Sequence, residues 1–217
     1  MLLTRLSFAR GSFNSSFRHP TSLLCVVKSE KKVLSCPISH LIMSFKSPLS
    51  VAIVGVGLVG SELISQLLSL PSPSPFKLVS LTSSKHTLFA QDGLSVTPET
   101  WATTLASSSS SPNLLALAQQ LSTLPRAVLV DNTAAQNVAE MYPEFLKHGI
   151  HVVTPNKKAF SGTQLLYDEI LKTSKKTGAK WLNESTVGAG LPVVQTLKDL
   201  VATGDKVRYL HSCGDYH

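Results

Sequence analysis

Cysteine is nearly absent from the 217 residues: there are three, Cys25, Cys36 and Cys213, all toward the ends. None falls in the stretch that reads as a core, which excludes a disulfide framework and a cysteine-based metal site. Long apolar runs are missing too. No uninterrupted stretch approaches the roughly 18 to 20 residues that a membrane-spanning helix needs, so no membrane partner is expected, although 43% of the chain is hydrophobic. Acids are scarce in one place only. Between Met1 and Ser50 seven lysines and arginines face a single acid, Glu30, whereas the remainder carries 13 bases and 12 acids. The formal charge of +7 therefore belongs almost wholly to the first fifty residues. A near-neutral body lacks the clustered positive charge that a nucleic-acid partner requires.

Residues 1–49 combine serine, scattered arginines and isolated apolar residues, the composition of an organelle transit peptide. Chloroplast import is the first expectation and the mitochondrion the second. A basic tail without an address, or translation starting at Met43, has the same composition and leaves the cytoplasm open. From Ser50 onward, short Val/Leu/Ile runs alternate with segments of helical spacing, which predicts an α/β fold built on a doubly wound parallel sheet. Strands are expected at Ser50 to Val56, Lys77 to Thr82, Ala127 to Asp131, His151 to Thr154 and Lys180 to Asn183. Helices are expected at Leu58 to Leu70, Asn113 to Ser122, Ala135 to His148, Gly162 to Thr177 and Leu191 to Ala202. Between Ser84 and Pro112 the chain reads as a polar surface loop with one short helix, Glu99 to Ala106.

The chemistry concentrates at strand ends. Gly55-Val56-Gly57-Leu58-Val59-Gly60 follows an apolar strand and opens a helix, the context in which Gly-x-Gly-x-x-Gly binds a dinucleotide. The first glycine permits the turn, the second admits the pyrophosphate, and the third lets the helix lie close on the strand. An NAD site usually places an acid at the end of the second strand to hold the ribose hydroxyls. Here Ser83, Ser84 and Lys85 stand in that region, donors suited to a 2′-phosphate, so NADP is expected over NAD, which stays possible. The same residues also read as a polar loop start. Asn132 and Thr133, past the third strand, suit either a nicotinamide ribose or a helix cap. Lys157 and Lys158 follow a fourth strand, where a lysine pair reads as a solvated turn unless a ligand is present. Glu184 to Pro192 carries two glycines before a proline, a curled backbone able to bind a small polar ligand or to serve as a plain turn.

Together these segments strongly resemble homoserine dehydrogenase, the enzyme family that interconverts L-homoserine and L-aspartate 4-semialdehyde with NAD(P). The carriers are the glycine loop, Asp131-Asn132-Thr133, the string from Gly149 to Lys158, and Glu184 to Pro192 followed by Thr203 to Val207. Thr154-Pro155-Asn156-Lys157-Lys158 and Thr186-Val187-Gly188-Ala189-Gly190-Leu191-Pro192 are more specific than the glycine loop, and the pattern looks closest to the short monofunctional form. The resemblance implies an oxidoreductase of threonine, methionine and isoleucine biosynthesis. It implies that Gly55, Val56, Gly57, Leu58, Val59, Gly60 and Thr133 hold the dinucleotide, and that Lys157 is the active-site lysine. It also implies a sodium ion on the backbone carbonyls of Glu184, Val187, Ala189 and Leu191, and a homodimer for the full-length family.

After Thr203-Gly204-Asp205-Lys206-Val207 the sequence departs from the family pattern and ends at His217. The domains expected are therefore 1–49 as leader, 50–183 as the NAD(P)-binding Rossmann domain, and 184–217 as the start of a truncated substrate domain. On this reading the chain binds NADP(H) but turns homoserine over slowly or not at all. Two alternatives share the motifs: a non-catalytic dinucleotide-binding form, and another Rossmann oxidoreductase such as dihydrodipicolinate reductase or aspartate dehydrogenase.

Overall fold

The computed structural model describes residues 47–206; the expected leader and the stretch from Val207 to His217 lie outside them. Six strands form one sheet: β1 (Leu49–Val54), β2 (Phe76–Thr82), β3 (Thr87–Phe89), β4 (Ala127–Asp131), β5 (His151–Val153) and β6 (Trp181–Leu182). Their order is β3-β2-β1-β4-β5-β6. All neighbours pair in parallel except β2 and β3. The helices are α1 (Leu58–Leu68), α2 (Trp101–Ala106), α3 (Leu114–Ser122), α4 (Gln136–Ala139), α5 (Tyr142–Lys147), α6 (Lys158–Ser161), α7 (Gln164–Thr177) and α8 (Val193–Ala202).

The strands are apolar throughout because both faces are covered. Successive residues of β1 point to opposite sides. Ala52 and Val54 join Leu129 and Val152 under α3, α5 and α7, where Leu121, Phe145 and Ile170 close the layer. Val51 and Ile53 join Leu81 and Val128 on the other face, under Ile64 of α1 and Leu105 of α2. Register then decides function. Val54 lies opposite both Thr82 and Asp131, and Val153 opposite both Val130 and Leu182. The carboxyl ends of the five parallel strands are level, so the loops that follow them open along one edge. The strand order reverses between β1 and β4, which puts the ligand crevice of such a sheet at their ends.

Four details depart from expectation. The segment Ala135 to His148 is two helices, because a continuous one would need an N–H from Pro143 for its ladder, and proline has none. A short helix, α6, precedes Gly162, and α7 starts only at Gln164, where the Thr163 hydroxyl accepts from Leu166 N–H. The edge strand β3 is antiparallel, three residues long and half-buried, too short to mark the sequence. The stretch expected to be a polar surface loop is also pinned to β3. Ser108 Oγ donates to the Thr87 carbonyl at 2.7 Å, and Thr87 N–H donates to the Ser110 carbonyl at 3.0 Å.

His151 fastens the last strand. Its Nδ1 accepts from Lys180 N–H at 2.9 Å, which requires the neutral ring. Burial, then the charges of Lys180 and Arg126, hold its pKa below the ordinary histidine value. The unfolded chain therefore takes up this proton as pH falls through about 6.5 while the folded chain resists it, so this contribution to stability is present above that pH and lost below it. We expect the melting temperature to fall between pH 7 and 5.5, and to fall less in His151→Asn, which keeps an acceptor without a titrating ring. Parallel melting profiles for the two proteins would contradict this.

Candidate functional site

The site begins where β1 turns into α1. Gly55 has φ +90°, and a Cβ there would lie 2.7 Å from Thr133 Cγ2. A Cβ on Gly60 would collide with the Gly55 carbonyl oxygen. These two glycines are required by the protein's own packing. Gly57 is different. Its backbone is extended, and a Cβ there would meet nothing within 4 Å. Gly57 also caps α1 without any side-chain hydrogen bond, and no acid stands in the first turn. The first-turn N–H groups have no acceptor inside a helix, no side chain stands before them at Gly57, and the positive end of the helix dipole lies behind them.

Gly55 N–H donates to the Thr82 carbonyl at 2.9 Å, which sets the turn after β2 beside the glycine loop. There Ser83 Oγ accepts from Lys85 N–H at 3.2 Å and His86 N–H at 2.9 Å, and donates to the His86 carbonyl. Its hydroxyl shapes the turn, while Ser84 and Lys85 are exposed at the edge. Beyond Ser83, His86 Nδ1 sits 2.7 Å from the Ser108 carbonyl.

On the other side of β1, Asp131 ends β4 with no solvent exposure. Its Oδ1 accepts from Thr133 N–H at 2.7 Å; its Oδ2 accepts from the Tyr142 hydroxyl at 2.5 Å and from Asn156 Nδ2 at 3.0 Å. Burial and the Asp131 charge push the Tyr142 pKa well above the usual tyrosine value, so the hydroxyl keeps its proton. Thr154 Oγ1 lies 2.9 Å from that hydroxyl and accepts from Asn156 N–H at 2.8 Å. Asn156 Oδ1 accepts from Lys158 N–H at 3.0 Å. Lys157 lies between these two held residues. Its carbonyl receives the N–H groups of Phe160 and Ser161, starting α6, and its side chain is exposed.

Between α1 and the ends of β4, β5 and β6 opens a cleft of about 620 Å³, walled by Leu58, Val59, Asn132, Thr154, Pro155 and Glu184 among others. Leu58 is 93% and Val59 64% exposed, large apolar residues at the mouth of a partly polar cleft, as ligand sites are built. Asn132 and Asn183, at the ends of β4 and β6, each keep a buried Nδ2 with no partner among the described residues. The residues present fit a dinucleotide: a helix N-terminus without a side chain before it for a diphosphate, exposed donors at the β2 end, and a largely apolar wall for a flat ring, with Asn132 as the wall residue whose amide nitrogen has no partner among the described residues. Lys157 is near this cleft in sequence but is not one of its wall residues.

The loop after β6 carries the four positions expected to hold sodium. Glu184 opens a 3-10 turn, and its carboxylate accepts from Gln195 N–H of α8 with both oxygens, at 3.2 and 3.0 Å. Gly188 and Ala189 both have positive φ, +74° and +51°, and Val187, Ala189 and Leu191 are exposed. The Leu191 carbonyl already accepts from Val193 N–H at 2.8 Å. Sequence reasoning passed over the roles of Asp131, Tyr142 and Asn156; the available signal was an acid closing an otherwise apolar strand.

A mostly parallel sheet, with β3 antiparallel at its edge, a glycine turn at its switch point and this cleft, defines a dinucleotide-binding Rossmann domain. Residues 55–184 match the family model "Homoserine dehydrogenase, NAD binding domain", and the chain belongs to the homoserine dehydrogenase family. It is 38% identical over 169 residues to homoserine dehydrogenase of Schizosaccharomyces pombe, covering 75% of this chain and 45% of that protein. With the enzyme of Paracoccidioides brasiliensis it shares 44% over 164 residues, 71% of this chain and 44% of the relative. A hyperthermophilic archaeal homoserine dehydrogenase mutant, solved in complex with NADPH, superposes with a TM-score of 0.56 at 26% identity, over 71% of this chain and 50% of that one. The chain spans just under half the length of the curated relatives it matches. Among the described residues no helix is long and apolar enough to cross a membrane.

The three glycines separate by stability. Gly60→Ala is expected to cost about 1–3 kcal/mol, as overpacking does, whereas Gly57→Ala changes stability by no more than about 0.5 kcal/mol. Urea unfolding of both variants checks this; equal losses would show that Gly57 is also held by packing.

Proposed function

We propose that this chain binds NADP(H) at the β1–α1 turn and serves the hydride transfer between L-homoserine and L-aspartate 4-semialdehyde in threonine, methionine and isoleucine biosynthesis. One observation carries the reading. Gly57 lacks a side chain where the protein itself would accommodate one, directly before unfilled helix N–H groups. A diphosphate approaching those amides is the reason for its absence. Family membership and the archaeal relative solved with NADPH support the choice of ligand.

In this reading residues 50–183 hold the cofactor and the chain from Glu184 begins a second, substrate-side unit. In keeping with that division, α8 buries none of its residues. Backbone amides from Gly57 to Gly60 bind the diphosphate, Ser84 and Lys85 take the 2′-phosphate, and Ser83 shapes their turn. Val56, Leu58, Val59 and Thr133 line the path to the nicotinamide ring. When bound, the nicotinamide supplies the hydride acceptor or donor. Lys157, on the loop held by Asn156, supplies positive charge beside the reacting oxygen. The carbonyls of Glu184, Val187, Ala189 and Leu191 belong to the same reading as sodium ligands. A non-glycine residue at φ +51° costs on the order of 1 kcal/mol, and such strain clusters at ligand clamps. Assembly as a homodimer and import into the chloroplast complete the proposal.

Titration of the chain with NADPH and NADH, followed by nicotinamide fluorescence, tests it. NADPH is expected to bind more tightly than NADH. Gly57→Ala weakens both by about tenfold or more, and Lys85→Ala weakens NADPH about tenfold while sparing NADH, the size of one charge-assisted hydrogen bond. Absence of any NADPH binding by the folded wild-type chain would overturn the reading.

A further inference from the structure

We propose that Asp131 is a positioning residue for the nicotinamide half of the site: its buried carboxylate locks together the loops after β4 and β5, and so sets where Thr133 and Lys157 stand. The proposal rests on the dinucleotide reading above.

Asp131 is wholly buried at the last position of β4, a strand whose other residues, Ala127 to Val130, are all apolar. Burying a carboxylate costs several kcal/mol unless donors satisfy it, and a core position alone gives no reason for the acid. Its partners supply the reason. Two of its three donors belong to ligand-edge loops. Thr133 N–H comes from the loop after β4, and Asn156 Nδ2 from the loop after β5. The third, the Tyr142 hydroxyl, rises from α5 beneath them.

From Asp131 the restraint reaches Lys157 in two steps. Asn156 Nδ2 bridges the Asp131 carboxylate and the Ala135 carbonyl, both at 3.0 Å, so one side chain ties the two loops to each other. Its Oδ1 accepts from Lys158 N–H, and its own N–H donates to Thr154 Oγ1. The backbone is thus held on both sides of Lys157 while the lysine side chain stays exposed. Toward the glycine loop, Thr133 N–H is held by the carboxylate, and Thr133 Oγ1 accepts from Ala135 N–H at 3.2 Å. Tyr142 fixes the polarity of the set. Its pKa is raised by burial and by the Asp131 charge, so it remains a donor at any working pH. The turn that carries Ser84 and Lys85 contacts none of these groups in the hydrogen bonds described.

This separation makes the proposal testable with two probes on the full chain: NADPH, and adenosine 2′,5′-bisphosphate, which lacks the nicotinamide half. Asp131→Asn turns one acceptor into a donor facing donors. Asn156→Ala removes the bridge and leaves the carboxylate with its other two partners. In both, NADPH binding is expected to weaken about tenfold or more, the effect of losing a hydrogen bond to a charged group, while adenosine bisphosphate stays within about twofold. Melting curves identify which variants fold, and Asn156→Ala decides if Asp131→Asn does not. Equal weakening of both probes in Asn156→Ala would overturn the proposal, since it marks general loosening of the fold; so would unchanged NADPH affinity. A wild-type chain that bound neither probe would instead overturn the dinucleotide reading, and the proposal with it.

Discussion

Among the described glycines, Gly60 is the one where an added Cβ would come nearest to another atom, the Gly55 carbonyl oxygen, and the position of the site depends on that fit. No side chain fits between them, so α1 starts in direct contact with the turn that ends β1. That contact brings the helix N-terminus to the strand-order reversal between β1 and β4, where Asn132 N–H donates to the Val54 carbonyl at 2.8 Å. The level strand ends then supply three further loops along the same edge. A helix held even one side-chain radius farther out would leave its amides out of reach of a diphosphate resting on β1.

The two sides of this edge are built on different physics. On the α1 side the proposed recognition rests on backbone: Gly57 leaves the helix N-terminus open, while Gly55 and Gly60 let the turn and helix pack against each other. On the β4–β5 side the scaffold is a buried side-chain network centred on Asp131. Such a network is costly unless fully paired, because its low-dielectric surroundings raise the penalty for any unpaired member. Here each carboxylate oxygen has at least one donor. What burial of charge provides in return is a definite geometry for two loops that no regular ladder connects.

Much of this was legible in the sequence, for identifiable reasons. The parallel strands are doubly buried and therefore continuous in apolar residues, and the glycine spacing states its own geometry. The β2 end also read as an acid-free, donor-bearing turn. Other features left no local trace. The break between α4 and α5 was visible as Pro143 but outweighed by the apolar periodicity on either side. Ser83 was grouped with Ser84 and Lys85 by composition, although its hydroxyl closes its own turn. The Asp131 network joins positions 11 and 25 residues apart, and such pairing emerges only when β4 and β5 align.

The same distinction bears on Lys157. In sequence it is one of two adjacent lysines, and nothing in that pair separates a solvated turn from a functional group. In the fold the two backbones have different surroundings. Lys158 belongs to α6 and its N–H is held by Asn156, whereas Lys157 is the junction residue whose carbonyl starts the helix. A lysine side chain has four rotatable bonds and remains mobile unless its base is fixed. The backbone is fixed on both sides of Lys157, so its ammonium is limited to the volume that the side chain sweeps from a set base. In the proposed reading, residues that never touch the ligand thereby help to set where a charge stands, which is why a buried acid on β4, the strand next to the one that leads into the glycine loop, belongs to the description of the site.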